Sequence, residues 1–218
     1  VKVLRSLRVN PKDVVRGQYG PGVVNGLQVA AYNQEVQVSP NSGVETFVAL
    51  KAYVENFRWA GVPFYMRTGK RMPQKYSEVV ICFRKLPGVL YFKDEKLDPN
   101  VLVIRVQPDA GVFFKFNAKK PGTEGKIVPV SMDFSESSLA GFNTPEAYER
   151  LLYDVMRGES TLFTRWDEVE HAWRFVDPIA AYWQAANVPV IPYPAGSFGP
   201  PQADFLIRSE GREWHEIL

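Results

Sequence analysis

Between Phe47 and Asn117 the chain carries five short runs rich in β-branched and aromatic residues. They are FVALKAYV (Phe47–Val54), VPFYMR (Val62–Arg67), EVVICF (Glu78–Phe83), VLVIRV (Val101–Val106) and GVFFKFN (Gly111–Asn117). Such residues fit a pleated, half-buried surface and read as strands, although FVALKAYV is also compatible with a helix. Pro87-Gly88, Asp98-Pro99-Asn100, Pro108-Asp109 and Pro121-Gly122 punctuate the runs. No helical pattern fills the intervals. The strands are therefore expected to pair mostly antiparallel, because parallel neighbours need long crossovers.

The last third changes period. Thr144 suits a helix cap, Pro145 a first helical position and Gly158 a stop. Tyr148, Leu151, Leu152 and Val155 form an apolar stripe between them. A second helix is expected from about Asp167, with Trp166, Val169, Trp173 and Val176 on one side. Pro178 is expected to open or kink a third, carrying Ile179, Tyr182 and Trp183. Residues 188–203 hold five prolines and are expected to wrap the surface. At the other end, Val3, Leu4 and Leu7 read as the last turns of a helix that stops before Asn10-Pro11. Residues 14–44 read as an extended, loop-rich segment with at most short strands. Strands first and helices last give the class α+β: one large, mostly antiparallel sheet with helices packed against it, as one domain over residues 1–218.

A chain of 218 residues buries roughly 70% of its unfolded surface, so its core needs no metal or disulfide. Lys and Arg number 26 against 24 Asp and Glu, a net charge of +2. That balance gives no global field toward nucleic acid or an anionic membrane. No apolar run is long enough for a membrane span. Cys82 is the only cysteine, which suits a reducing, cytoplasmic setting. The start at Val1 lacks both a signal peptide pattern and an initiator Met, as in a chain beginning partway through a longer protein.

Candidate chemistry centres on Arg67-Thr68-Gly69-Lys70-Arg71, followed by Lys75. Cations on a turn at a strand end can converge on a phosphate or carboxylate, or they can form a solvated basic turn. The phosphate-cradling spacing GxxxxGK[ST] is absent. In Val101–Gln107, alternation places Val101, Val103, Arg105 and Gln107 on one face. Arg105 and Gln107 either line a polar pocket or end the strand in solvent. Lys115, Lys119 and Lys120 flank Phe113, Phe114 and Phe116, and read as the wet face of a core strand rather than a nucleic-acid platform. His171 reads as a surface or helix-packing residue, His215 as solvated and Cys82 as core filler. No zinc spacing and no GxGxxG turn is present; Gly17 to Gly22 has the wrong spacing.

Seven stretches, VKVLRSLR, VVRGQYG, YVENFRWAGVPFYMRTGKRM, VLVIRVQP, KKPG, PEAYERLLYDVMRGESTLFTRWDEVEHAWR and YPAGSFGPPQAD, run through the chain in order. Together they resemble the C-terminal portion of the glucose-6-phosphate dehydrogenase family. The resemblance implies an enzyme that oxidises glucose 6-phosphate to the lactone and passes hydride to NADP in the pentose phosphate pathway. It implies a β+α domain whose large sheet pairs subunits into a homodimer or homotetramer. Lys70, Lys75 and Gln107 match substrate-contacting positions. The family's dinucleotide fingerprint and catalytic histidine and aspartate match nothing in this chain, so no catalytic residue is expected here. The chain alone is expected to be inactive, with a non-catalytic assembly or regulatory module as the alternative. Some members hold a second, structural NADP. Arg67, Arg105 and Lys115 match cationic positions of that site, but Tyr76, Val80 and Phe198 stand where such members carry Lys or Arg. Structural NADP is therefore expected to be absent or weakly bound.

Overall fold

A computed structural model describes residues 1–85, 97–122, 126–135 and 147–215. The expected cap and first turn at Thr144 and Pro145, and the Pro87-Gly88 turn, lie outside the described residues. The chain forms two compact units: Val1–Gln74 with Ala147–Leu218, and Lys75–Glu146.

In the first unit a four-residue helix, α1 (Lys2–Arg5), leads into β1 (Leu7–Val9), followed by β2 (Val15–Gly20). A small hairpin, β3 (Gly22–Val24) with β4 (Leu27–Val29), precedes β5 (Phe47–Val54) and β6 (Pro63–Gly69). β5 is the hub. β6 pairs antiparallel along one edge, from Phe47↔Gly69 to Tyr53↔Pro63. β1 and β2 share the other edge end to end, at Ala52–Val54 and Phe47–Ala49. Leu7 thus belongs to a strand and not to the helix its spacing suggested.

Alternation along β5 divides the core. Phe47 and Ala49 pack with Tyr19, Tyr193, Ala195 and Ala203 of the later helix α4 (Pro201–Arg208). Leu50 and Ala52 pack with Val14, Ile179 and Trp183 of α3 (Trp166–Ala185). A strand covered on both sides reads as a near-continuous apolar run, which is why FVALKAYV also resembled a helix. Each large side chain so buried contributes about 1.5–3 kcal/mol.

Three local expectations are corrected. α3 runs through Pro178 without a break. Pro178 is exposed, so the carbonyl it leaves unbonded can reach water. The buried stripe of α3 is His171, Ile179 and Trp183, whereas Trp166, Trp173 and Val176 are exposed. The proline-rich run does not merely wrap the surface. It contains β11 (Ile191–Pro194), which joins β2 in parallel. β11 lies at the sheet's edge, where proline is tolerated, and Tyr193 within it is 1% exposed. α2 (Ala147–Arg157) ends at Gly158 as anticipated, with φ of 69°. Its Tyr148, Leu152 and Val155 are exposed.

Among its described residues, the second unit is a four-stranded antiparallel sheet in the order β10-β9-β8-β7. Its strands are β7 (Ser77–Cys82), β8 (Val101–Gln107), β9 (Gly111–Lys119) and β10 (Ile127–Ser135). β10 is an edge strand containing Pro129, and that proline with Ser131, Asp133 and Ser135 interrupts the apolar run, so the pattern reading missed it. Cys82, expected as core filler, is exposed at the end of the edge strand β7. The class α+β with mostly antiparallel pairing holds, with the strands among the described residues distributed over sheets of five, four and two.

Candidate functional site

The basic turn follows directly from β6. An added Cβ on Gly69 would lie 2.7 Å from Cδ2 of the buried Phe47 ring, so the chain passes there only as glycine. Lys70 is then held at both backbone groups. Its N–H donates to the Thr46 carbonyl (2.8 Å), and its carbonyl accepts from the Tyr193 hydroxyl (2.8 Å). Burial pushes the Tyr193 hydroxyl pKa up, so the phenol keeps its proton for that bond. Arg71 has a φ of 52°, unusual for a non-glycine residue, and its carbonyl accepts from Gly196 N–H at 2.7 Å.

The cations of this turn differ in their employment. Arg71 Nη2 donates to Glu35 Oε1 (3.1 Å), which also accepts from the Tyr19 hydroxyl (3.0 Å). Those hydrogen bonds, Tyr19 first, hold the Glu35 carboxyl below its usual range. The exposed Lys70 ammonium has no hydrogen-bond partner among the described residues. A fixed backbone carrying an unengaged ammonium is pre-organised for an oxyanion. Thr46, Tyr193 and Gly196, which create this order, escaped the pattern reading. They are far from Lys70 in sequence, and Tyr193 lies inside the proline-rich run.

In the second unit Ser77 pairs with Gln107, and Gln107 Nε2 donates to Ser77 Oγ at 3.0 Å. Gln107 is exposed at the end of β8, and Lys75 enters β7 at that same end, exposed. Arg105 lies on the same face as Val103 and Lys115, across from Glu78 in register. Its guanidinium sits 5.0 Å from the Tyr76 ring centre and 4.5 Å from that of Phe113. Burial, then the Glu78 charge, pushes the Tyr76 hydroxyl pKa up. In the first unit the Arg67 guanidinium sits 5.2 Å from Phe198 and 4.6 Å from Trp214. His171 is buried and accepts from Arg5 Nε (2.9 Å), a helix-packing role.

The opposite face of the four-stranded sheet is apolar throughout its centre. Register aligns Val79, Ile104, Val112 and Phe134 in one row, 53%, 38%, 41% and 52% exposed. The next row is Ile81, Leu102, Phe114 and Met132. Phe114 and Phe116 stack on each other there, with centres 5.3 Å apart, so these rings are engaged within the protein. No group of residues able to hold a metal ion, and no helix long and apolar enough to cross a membrane, occurs among the described residues.

Residues 1–215 match the family described as glucose-6-phosphate dehydrogenase, C-terminal domain. The chain belongs to that family. It is 48% identical to the glucose-6-phosphate 1-dehydrogenase of Treponema pallidum, covering 99% of this chain and 43% of that protein. It is 46% identical to the Bacillus subtilis enzyme of the same name, covering 100% and 46% respectively. A solved glucose-6-phosphate dehydrogenase in complex with its substrate glucose-6-phosphate superposes with a TM-score of 0.87 at 30% identity, over 99% of this chain and 44% of that one. The chain thus spans less than half the length of these relatives.

Within this glucose-6-phosphate dehydrogenase domain, the positions that the resemblance matches to a structural NADP lie in both units, Arg67 and Phe198 in the first and Tyr76, Val80 and Arg105 in the second. A dinucleotide needs several donors for its phosphates and open planar faces for its base. Tyr76, Val80 and Phe198 supply no cation, and Glu78 lies across from Arg105. The guanidinium faces of Arg67 and Arg105 already lie over aromatic rings. Arg105 Nε is buried without a hydrogen-bond partner among the described residues.

Proposed function

We propose that this chain is the sugar-phosphate-binding and subunit-pairing part of an NADP-dependent glucose-6-phosphate dehydrogenase. In that reading Lys70, Lys75 and Gln107 bind and orient glucose 6-phosphate. The residues that hold the catalytic NADP and accept the substrate's proton belong to the portion that its relatives carry beyond this match. The chain by itself then performs no hydride transfer.

The observation that carries the proposal is the Lys70 turn. Its amide and carbonyl are pinned by Thr46 and Tyr193, and its ammonium is left to a ligand. Orienting a phosphorylated sugar lowers the barrier by removing freedom before the chemical step. Lys70 would place the phosphate or sugar as a point charge; Gln107, whose amide is already turned by Ser77, would present its carbonyl oxygen. The protein is proposed to work in the cytoplasm.

The apolar face of β7–β10 is proposed to receive a second copy of the chain, giving the homodimer or, by further pairing, the homotetramer. Two self-complementary apolar rows suit an isologous contact.

The substrate role is tested in the complete protein with Lys70→Ala. Removing one charge-assisted contact, about 1.5–3 kcal/mol, should lower kcat/KM for glucose 6-phosphate by about 10–100-fold, chiefly through KM. An unchanged kcat/KM would refute the role.

A further inference from the structure

The segment after α4 folds back over the strands instead of leaving the molecule. Glu210 accepts from the Tyr65 hydroxyl (2.6 Å) and pairs with Lys51 Nζ. Lys51 and Tyr65 are register partners on β5 and β6, so one carboxylate ties the tail to two adjacent strands. Four residues later, Trp214 Nε1 donates to the Ala203 carbonyl of α4 (3.1 Å). Its ring meets Tyr65 edge-on, with centres 6.4 Å apart, and lies under the Arg67 guanidinium. Phe198, from the loop before α4, is the second ring on Arg67. Tyr65 and Arg67 point to the same side of β6, as alternation requires.

We infer that residues 209–215 are a strap that closes this face of β5 and β6 through Trp214 on Tyr65 and Arg67 and Glu210 on Lys51 and Tyr65, with Phe198 holding the Arg67 guanidinium from the loop before α4, and that this closure needs no second NADP. The inference rests on the family assignment for where that nucleotide would lie. Its physical content is independent of it. Phe198 is a ring at a position where such members carry a cation, and that ring lies on the arginine that remains. A base arriving here would have to displace indole or phenyl from guanidinium, and its phosphates would find fewer cations. The ion pair and the Trp214 contacts act on the strap directly, and Phe198 acts on it through the Arg67 guanidinium that it shares with Trp214, so loosening any of them raises the population of the open strap.

The test uses the 218-residue chain. Trypsin can cut within the strap at Arg212, so the cleavage rate there reports the open population. Phe198→Leu keeps apolar bulk and removes the ring; the cut should accelerate about 2–5-fold, the worth of one such contact. Phe198→Tyr keeps the ring and should restore the original rate. NADP in large excess should change neither the rate nor Tm. Saturable protection or a raised Tm with NADP would overturn the inference while leaving the family assignment intact. A Phe198→Leu rate equal to that of the unaltered chain, or a Phe198→Tyr rate as fast as Phe198→Leu, would also overturn it.

Discussion

The two sheets of this domain solve the same problem differently. The five-stranded sheet covers both faces of β5 from its own unit, with α3 on Leu50 and Ala52 and α4 on Phe47 and Ala49. The four-stranded sheet has no helix in its unit among the described residues. Val103 is the one buried hydrophobic on its strands, and it leaves an apolar row half exposed. A sheet built from equally apolar strands must hide its faces against something. In the first unit that something is intramolecular. In the second, a second copy of the chain is proposed to cover the apolar face. Under that proposal the same residue types carry stability in one sheet and association in the other.

Replacing the buried Phe47 should show the largest effect. Phe47→Ala removes a ring that touches Gly69, Tyr193 and the core beneath α4. It should cost about 3–5 kcal/mol in urea unfolding, most of a marginal domain's stability. Phe134→Asp, on the exposed row, should cost the monomer under about 1 kcal/mol while abolishing self-association. Comparable losses at the two phenylalanines would break the contrast.

A pH series separates the strap from the sheet it covers. Hydrogen bonds from Lys51 and then Tyr65 hold Glu210 below the usual carboxylate range. That contribution is complete above the unfolded carboxylate value of about 4.3 and is lost as pH falls through the depressed folded value. Burial, and then Glu210, raise Tyr65 to about 12. Its contribution is complete below the unfolded value of about 10 and fades as pH rises from there through the folded value. Hydrogen exchange of amides 209–214 should accelerate at both extremes. Glu210→Gln should flatten the acid side and Tyr65→Phe the alkaline side; identical profiles in all three proteins would remove the strap's electrostatic basis. The smallest effect belongs to Cys82. Exposed at a sheet edge, its thiol should react fully with a thiol reagent without denaturant. Cys82→Ser should shift stability by less than about 0.5 kcal/mol.

Five strands, the helical last third and the basic turn were legible because each is marked locally, by β-branched runs, by helical period and by Gly69. The family was legible because its motifs run through the whole chain. What was hidden depends on partners distant in sequence. β2, VRGQYG, falls in a segment read as loop-rich with at most short strands, yet it lies between β5 and β11, and a Cβ on Gly17 would crowd Phe47 and Tyr193. The phase of α3 was misread because its outward Trp166 and Trp173 are as apolar as its inward Ile179 and Trp183. Periodicity finds a stripe but cannot say which stripe meets a sheet. Lys70 could be named as a candidate, but its pinning by Thr46 and Tyr193 could not, because no pattern links a threonine before β5 to a tyrosine in a proline-rich edge strand.

Light scattering on the 218-residue chain across a wide concentration range tests the contrast between the sheets most directly. The account predicts a mass of twice 24.7 kDa that falls to 24.7 kDa in the Phe134→Asp protein. A mass of 24.7 kDa for the unaltered chain at every concentration would contradict it.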